Sequence, residues 1–119
     1  MSTIAAAIEG EVSQWPGVTV RPHRFGGREF QVNGRQIGHL HGDRLADVLF
    51  PVRIRQELVA AGRASLHHVH PKTGWVSFYL HGEQDIPAAI DLYRLSYERL
   101  MRCRQAGRQS SGDPQPPGS

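Results

Sequence analysis

The 119-residue sequence contains little cysteine, little lysine and no long apolar run. Its one cysteine, Cys103, excludes a disulfide within the chain and a zinc site built from several cysteines. Lysine occurs once, at Lys72, and all other basic residues are arginine. No segment approaches the roughly 20 apolar residues of a membrane span. Met1–Ile8 lacks the basic start and the length of a signal peptide, so we expect a cytoplasmic protein outside the membrane.

The positive charge is concentrated near the C-terminus. The formal net charge is +3, and Arg102, Arg104 and Arg108 contribute most of it, opposed in that stretch only by Asp113. The preceding part of the chain is therefore nearly neutral. Because phosphate binding needs clustered basic residues, nucleic acid is not the expected partner.

A change of composition predicts the domain boundary. Residues 105–119 contain no large apolar side chain and are rich in Gly, Pro, Ser and Gln. Such a segment cannot offset its ordering entropy by burial, so we expect a disordered tail. Residues 1–104 then form one domain, a length that supports a single modest core.

The elements are predicted from apolar periodicity and turn residues. Asn33-Gly34 between two strand-like runs is a strong hairpin signal, and the last helix has a clear apolar face. The predicted order is α-β-β-β-β-α-β-β-α, an α+β domain with helices packed on a mostly antiparallel sheet. The predicted segments are a helix from Ser2 to before Trp15, strands Val18–Phe25, Glu29–Val32, Arg35–His41 and Leu45–Phe50, a helix Pro51–Gly62, strands Ala64–Val69 and Trp75–Leu80, and a helix from Asp85 to about Met101.

Arg55 is the first anomaly, because it falls on the apolar arc of the second helix. A buried guanidinium needs a carboxylate, carbonyl oxygens or a bound anion. Asp47, among apolar neighbours on the preceding strand, is the expected partner in an internal pair. There are two alternatives: Arg55 binds a ligand, or its side chain extends along the apolar surface until the guanidinium reaches solvent.

Histidines are the second anomaly. His39 and His41 alternate on one strand and therefore face the same side, as would His68 and His70 if their strand continued. His39, His41 and His68 could together hold zinc or iron. However, Leu45 stands where H-x-H metal sites usually supply a glutamate. The alternative is a set of hydrogen-bonded polar histidines, so no cofactor is predicted and a divalent metal stays an alternative.

Polar and aromatic side chains also share a face of the penultimate strand. Trp75, Ser77, Tyr79 and His81 alternate with apolar residues there. They could line an apolar pocket that also offers polar groups to a ligand, or they could belong to an ordinary sheet face. The sequence contains no Walker loop, Rossmann glycine pattern or nucleophile elbow.

The string GHLHGDRLADVLFPVRIRQELVAAGRASLHHVHPKTGWVSFYL, within a stretch of about residues 17–100, resembles the small bacterial luciferase-domain family, which has no established activity. The family pattern is H-x-H-G, Asp, Phe-Pro, Arg, a Gly-terminated helix, a His pair and Gly-Trp-Val-Ser. The matching residues are His39, His41, Asp47, Phe50, Pro51, Arg55, Gly62, His67, His68, Gly74, Trp75 and Ser77. The element order and the S-Y-E-R-L string at Ser96–Leu100 also resemble YjbR/MmcQ proteins, for which nucleic-acid binding is often suggested.

The residues do not indicate light emission, because no flavin site, adenylation loop or closing second domain is evident. We expect a small-ligand-binding or otherwise non-catalytic domain, with an unidentified small molecule as partner and a homodimer left open. A metal-dependent enzyme and a nucleic-acid-binding module are the alternatives. The candidate ligand-binding residues are His39, His41, Asp47, Arg55, His68, Trp75 and Ser77.

Overall fold

The computed structural model describes residues 3–67 and 72–107. The helices are α1 (Thr3–Val12), α2 (Val52–Ala60) and α3 (Ile86–Gly107), and short 3₁₀ turns span Arg24–Gly26 and Glu83–Asp85. The strands are β1 (Val18–Pro22), β2 (Arg28–Val32), β3 (Arg35–His41), β4 (Leu45–Leu49), β5 (Ser65–Leu66) and β6 (Trp75–Tyr79). The predicted α+β class and element order are confirmed.

The six strands form one sheet in the order β1-β2-β3-β4-β6-β5, and every neighbouring pair is antiparallel. The hairpin between β2 and β3 turns at Asn33 and Gly34, whose φ angles are 54° and 80°. Positive φ at both central residues is the geometry that favours Asn-Gly in a two-residue turn. The turn sets the pairing of Val32 with Arg35 and of Gln31 with Gln36, and an irregularity between Phe30 and Gln31 then shifts the register so that Glu29 pairs with His39.

One face of the sheet is covered by α3, which packs against β2, β3 and β4 and also contacts α1. Its predicted apolar face is confirmed: Ala89, Leu92 and Tyr93 are fully or almost fully buried. Two polar groups on this helix are satisfied by the sheet. The Tyr93 hydroxyl donates to the His39 carbonyl oxygen at 2.6 Å, and the Ser96 hydroxyl donates to that of Leu49 at 2.8 Å.

Close approach of α3 to the sheet depends on Gly38 in β3. A Cβ atom at this position would lie 2.3 Å from the Asp47 carbonyl oxygen and 3.0 Å from a ring carbon of Tyr93. The first distance is too short for any side chain, and the second would require the Tyr93 ring to shift by a few tenths of an ångström. Gly38 therefore sets how tightly β3, β4 and α3 pack together.

The opposite face of the sheet carries a row of polar residues. Register pairs Glu29 with His39, His39 with Asp47, Asp47 with Ser77, and Ser77 with Ser65. Directly paired residues of neighbouring strands point to the same face. Since the alternate residues Leu40, Ala46, Val48 and Val76 belong to the core under α3, this row lies on the other side.

Several predicted boundaries differ from the structure. Strand β5 has two residues instead of six, and β1 ends at Pro22 because the chain enters a 3₁₀ turn. Helix α3 continues to Gly107 rather than ending near Met101. The remainder of the predicted tail, residues 108–119, lies outside the described residues. Within the part of the chain that is described, no helix has the length and hydropathy to cross a membrane.

Candidate functional site

Asp47 is the buried centre of the polar row. Its side chain is 3% exposed, and its two oxygens receive three contacts. Oδ2 lies 3.0 Å from Nε2 of His41 and 3.4 Å from Nε2 of His67, while Oδ1 accepts a hydrogen bond of 2.9 Å from the Ser77 hydroxyl. The carboxylate therefore holds two imidazoles and one hydroxyl in fixed positions.

This arrangement differs from a catalytic triad. In a triad the serine donates to a histidine, which in turn donates to the carboxylate. Here Ser77 donates directly to Asp47, so the carboxylate, rather than a histidine, accepts the hydrogen bond of the serine. The geometry favours an orienting role for Asp47 over activation of a serine nucleophile.

Aromatic rings stack beside this carboxylate. The His23 and His39 rings are 3.9 Å apart between centroids and inclined by 17°, and His39 stacks on Trp75 at 4.8 Å and 25°. His41 meets His23 edge-on at 5.4 Å. Three histidines from β3 and the end of β1 are thus gathered on one side of a buried tryptophan.

The three histidines provide a cluster of nitrogen atoms. One ring nitrogen from each of His23, His39 and His41 lies within 4.8 Å of those of the other two, and all three residues are half-buried. The described part of the chain contains no other such cluster of three metal-binding side chains. Imidazole nitrogens suit zinc, copper, iron and nickel, so the cluster has the composition of a transition-metal site.

Burial controls the protonation of His39. Loss of solvent, followed by repulsion from His23, lowers the His39 pKa from 6.5 to about 4, although Glu29 and Asp47 act in the opposite direction. Nε2 of His39 is buried, has no hydrogen-bond partner among the described residues, and lies 3.6 Å from a Glu29 oxygen. His39 is therefore neutral near pH 7 and has an unsatisfied ring nitrogen.

A surface cavity of about 500 Å³ adjoins His41. It is lined by His41, Arg44, Leu45 and Tyr79. The lining joins a histidine of the cluster to a cation, an aliphatic side chain and an exposed aromatic ring. The cluster therefore borders a space large enough for a small molecule.

The structure brings five of the seven predicted site residues to one face: His39, His41, Asp47, Trp75 and Ser77. Arg55 is buried as predicted, but the predicted Asp47–Arg55 pair is wrong. Arg55 donates from Nη1 to the Thr73 carbonyl oxygen at 2.8 Å, while Asp47 points toward His41 and His67. The other two predicted site residues are not part of this face as described: Arg55 is bonded to the loop before β6, and His68 lies outside the described residues.

Two histidines of the site were missed by sequence reasoning. His23 follows Arg21 by two positions, and Arg21 pairs with Glu29, so His23 continues the polar face once β1 is aligned with β2. His67 was matched by the family pattern but was not carried into the candidate site, because its contact with Asp47 depends on the path of the chain after β5. The sequence left His39, His41 and His68 as an alternative metal set, and among the described residues the histidines whose ring nitrogens converge are His23, His39 and His41.

Comparison with known proteins identifies one family. The family model described as Luciferase domain matches residues 34–96, just over half of the chain, and this segment includes every site residue named above except His23. No curated protein and no solved structure matches the chain. These comparisons do not show the resemblance to YjbR/MmcQ proteins. The chain belongs to the Luciferase domain family.

Proposed function

We propose that this domain binds a divalent transition-metal ion, with Zn²⁺ as the reference ion, through His23, His39 and His41. The observation that carries the proposal is the convergence of three ring nitrogens within 4.8 Å of one another. Nitrogen ligands of a tetrahedral zinc ion lie roughly 3.3 Å apart, given Zn–N bonds of about 2.0–2.1 Å. Rotation of the side chains, above all that of His23, must close that difference.

Asp47 supplies the outer support that such a site needs. Histidines that bind metal usually donate their other ring N–H to a carboxylate or carbonyl oxygen, which fixes the tautomer and the ring orientation. His41 Nε2 lies 3.0 Å from a buried oxygen of Asp47. When this nitrogen carries the proton, Nδ1 of His41 keeps its lone pair for a metal ion.

His39 supports the proposal through its charge state. Metal ions bind the neutral imidazole and must displace any proton on the ligating nitrogen. Because burial lowers the pKa of His39 to about 4, little proton competition exists at pH 7. Nε2 of His39 has no hydrogen-bond partner among the described residues. A bound ligand could therefore supply the partner that the fold does not.

His23 must change orientation when the ion binds. Its ring is stacked almost parallel to His39, and parallel rings direct their in-plane lone pairs side by side rather than toward one point. The half-buried His23 lies just beyond the edge strand β1 and is not part of the hydrophobic core. Metal binding is therefore expected to break the His23–His39 stack.

Three neutral histidines leave the ion its positive charge and at least one open coordination position. Zinc sites with three protein ligands and an open position accept water or a ligand and act as Lewis acids. With three histidine ligands and an open position on the ion, the domain would meet the requirements for metal-assisted chemistry. The ligand-binding function expected from the sequence is the alternative, in which the same histidines contact a small molecule without metal.

Titration calorimetry with Zn²⁺ on protein prepared without a histidine tag tests the proposal. We expect about one ion per chain, and stabilisation by about 2.7 kcal/mol when free Zn²⁺ is 100 times Kd. His23→Gln, His39→Gln and His41→Gln should each weaken binding at least about tenfold, since each removes a ligand. Circular dichroism of each variant verifies that it folds.

His81→Gln is the matched control, because His81 is exposed and outside the cluster, and it should leave affinity unchanged. His68→Gln tests the third ligand predicted from the sequence. Occupancy below about 0.2 ion per chain, without thermal stabilisation by added Zn²⁺, would overturn the metal site. Loss of binding in His68→Gln but not in His23→Gln would replace the ligand set.

A further inference from the structure

The base of the cavity beside the histidine cluster is formed by paired residues of three neighbouring strands. Register pairs His41 of β3 with Leu45 of β4, and Leu45 with Tyr79 of β6, so the three side chains form a row on one face. The next row along the sheet contains His39, Asp47 and Ser77. His41 therefore belongs both to the proposed metal site and to the cavity of about 500 Å³.

The apolar part of the base of the cavity is accessible. Tyr79 is 44% exposed and is one of three exposed large hydrophobic residues in the described part of the chain. Leu45 beside it is half-buried. An exposed aromatic ring next to an aliphatic side chain offers a flat surface on which another ring can stack.

The polar part of the cavity is cationic. Arg44 is exposed, and within residues 3–67 and 72–107 its side chain forms no ion pair with a carboxylate. A guanidinium presents two parallel N–H groups that match a carboxylate. The described lining contains a single arginine and no helix N-terminus, whereas phosphate sites typically use a helix N-terminus. A carboxylate is thus the better match than a phosphate.

We infer that the cavity binds a small aromatic carboxylate, with its ring on Tyr79 and Leu45 and its carboxylate near Arg44 and the metal held by His41. This inference rests on the proposed metal site for the second anchor of the carboxylate. The volume lies within the roughly 300–1,000 Å³ typical of small-molecule sites. The cation, the metal charge and the stacking surface together select a ligand that is flat at one end and anionic at the other.

Binding of 2-naphthoate and of 2-naphthamide, an uncharged analogue of nearly the same shape, tests the inference. Calorimetry on the Zn²⁺-loaded full chain should show binding of the carboxylate at least about tenfold tighter than binding of the amide, a difference equivalent to about 1.4 kcal/mol. Arg44→Gln should remove most of that preference. Tyr79→Ala should weaken both probes by similar factors, because it removes the stacking surface and no charge.

Arg53→Gln is the matched control: Arg53 is exposed on α2 and does not line the cavity, so this variant should retain the preference. Equal affinity for the two probes in Zn²⁺-loaded protein would overturn the inference and leave the metal site intact. Failure of Zn²⁺ to bind would instead remove the metal site. Carboxylate preference in that metal-free protein, abolished by Arg44→Gln, would then show that arginine alone selects the anion and would refute the role of the metal.

Discussion

The two faces of the sheet satisfy their polar groups in different ways. Under α3, the hydroxyls of Tyr93 and Ser96 donate to strand carbonyl oxygens within a core of buried apolar side chains. On the opposite face, Asp47 is buried with imidazole and hydroxyl partners, and Nε2 of His39 has no partner among the described residues. The first face thus pairs its buried hydroxyls with the strands, whereas the second contains a buried ring nitrogen to which no described residue is hydrogen-bonded.

Gly38→Ala should produce the largest loss of stability, because the added Cβ would disturb the packing of β3, β4 and α3 at once. The added Cβ would lie 2.3 Å from the Asp47 carbonyl oxygen and would press against Tyr93, so β3, β4 and α3 must separate. We expect a loss of about 3 kcal/mol, measured by urea denaturation. Gly10→Ala in α1 is the control, because a Cβ there meets no atom within 4 Å and alanine favours the helix by up to about 1 kcal/mol. Similar values for both variants would refute the packing role of Gly38.

Acidification should destabilise the metal-free protein through the polar face. Burial lowers the pKa of His39 from 6.5 to about 4 in the folded state, so between these values the unfolded chain binds more protons. The contribution of neutral His39 is therefore complete above pH 6.5, is lost as pH falls, and levels off below about pH 4. Denaturation between pH 7 and pH 4 should show a steeper decline for the wild type than for His39→Gln. Parallel declines would contradict the assigned cause.

Asp47→Asn should separate stability from metal affinity. The amide keeps the size of the side chain and can still accept from Ser77, but it removes the charge that orients His41 and His67. Loss of such an outer partner typically lowers metal affinity about 10- to 100-fold, and we expect this range for Zn²⁺. Ser77→Ala is the comparison, because it removes one hydrogen bond without touching an imidazole. If Ser77→Ala weakens Zn²⁺ binding as much as Asp47→Asn, the orienting role of the charge is wrong.

Tyr93→Phe should have the smallest effect, and only on stability. It removes the 2.6 Å hydrogen bond to the His39 carbonyl oxygen and leaves the ring in the core, at a cost of about 1–2 kcal/mol. Burial raises the pKa of the Tyr93 phenol well above its usual value, so the hydroxyl acts as a neutral donor throughout. Zn²⁺ affinity should match that of the wild type. A tenfold loss of affinity would show that the two faces are coupled through the His39 backbone.

The fold was largely predictable because its main signals are local. Asn33-Gly34 specifies a hairpin by its own dihedral preferences, and the apolar periodicity of residues 86–101 specifies a helix that covers a sheet. The extent of β5 was not predictable, because a two-residue strand is defined by its pairing with β6 rather than by its composition.

The site was predictable only where it follows strand alternation. Period-two spacing predicted that His39 shares a face with His41 and that Trp75 shares one with Ser77, and the pairing of β3, β4 and β6 brings these residues and Asp47 onto the same face. The partner of Arg55 was not recovered, because a backbone carbonyl oxygen in a loop can satisfy a guanidinium and leaves no trace in the sequence. His23 was overlooked because its contribution appears only when β1 is aligned with β2.

Zn²⁺ titration monitored by NMR of the histidine side chains tests the metal site most directly. We expect the ring resonances of His23, His39 and His41 to change together at one equivalent of Zn²⁺, the His23–His39 stacking shift to disappear, and His81 not to respond. The proposed metal site is wrong if the resonances of these three rings stay unchanged at saturating Zn²⁺, or if only other histidines respond.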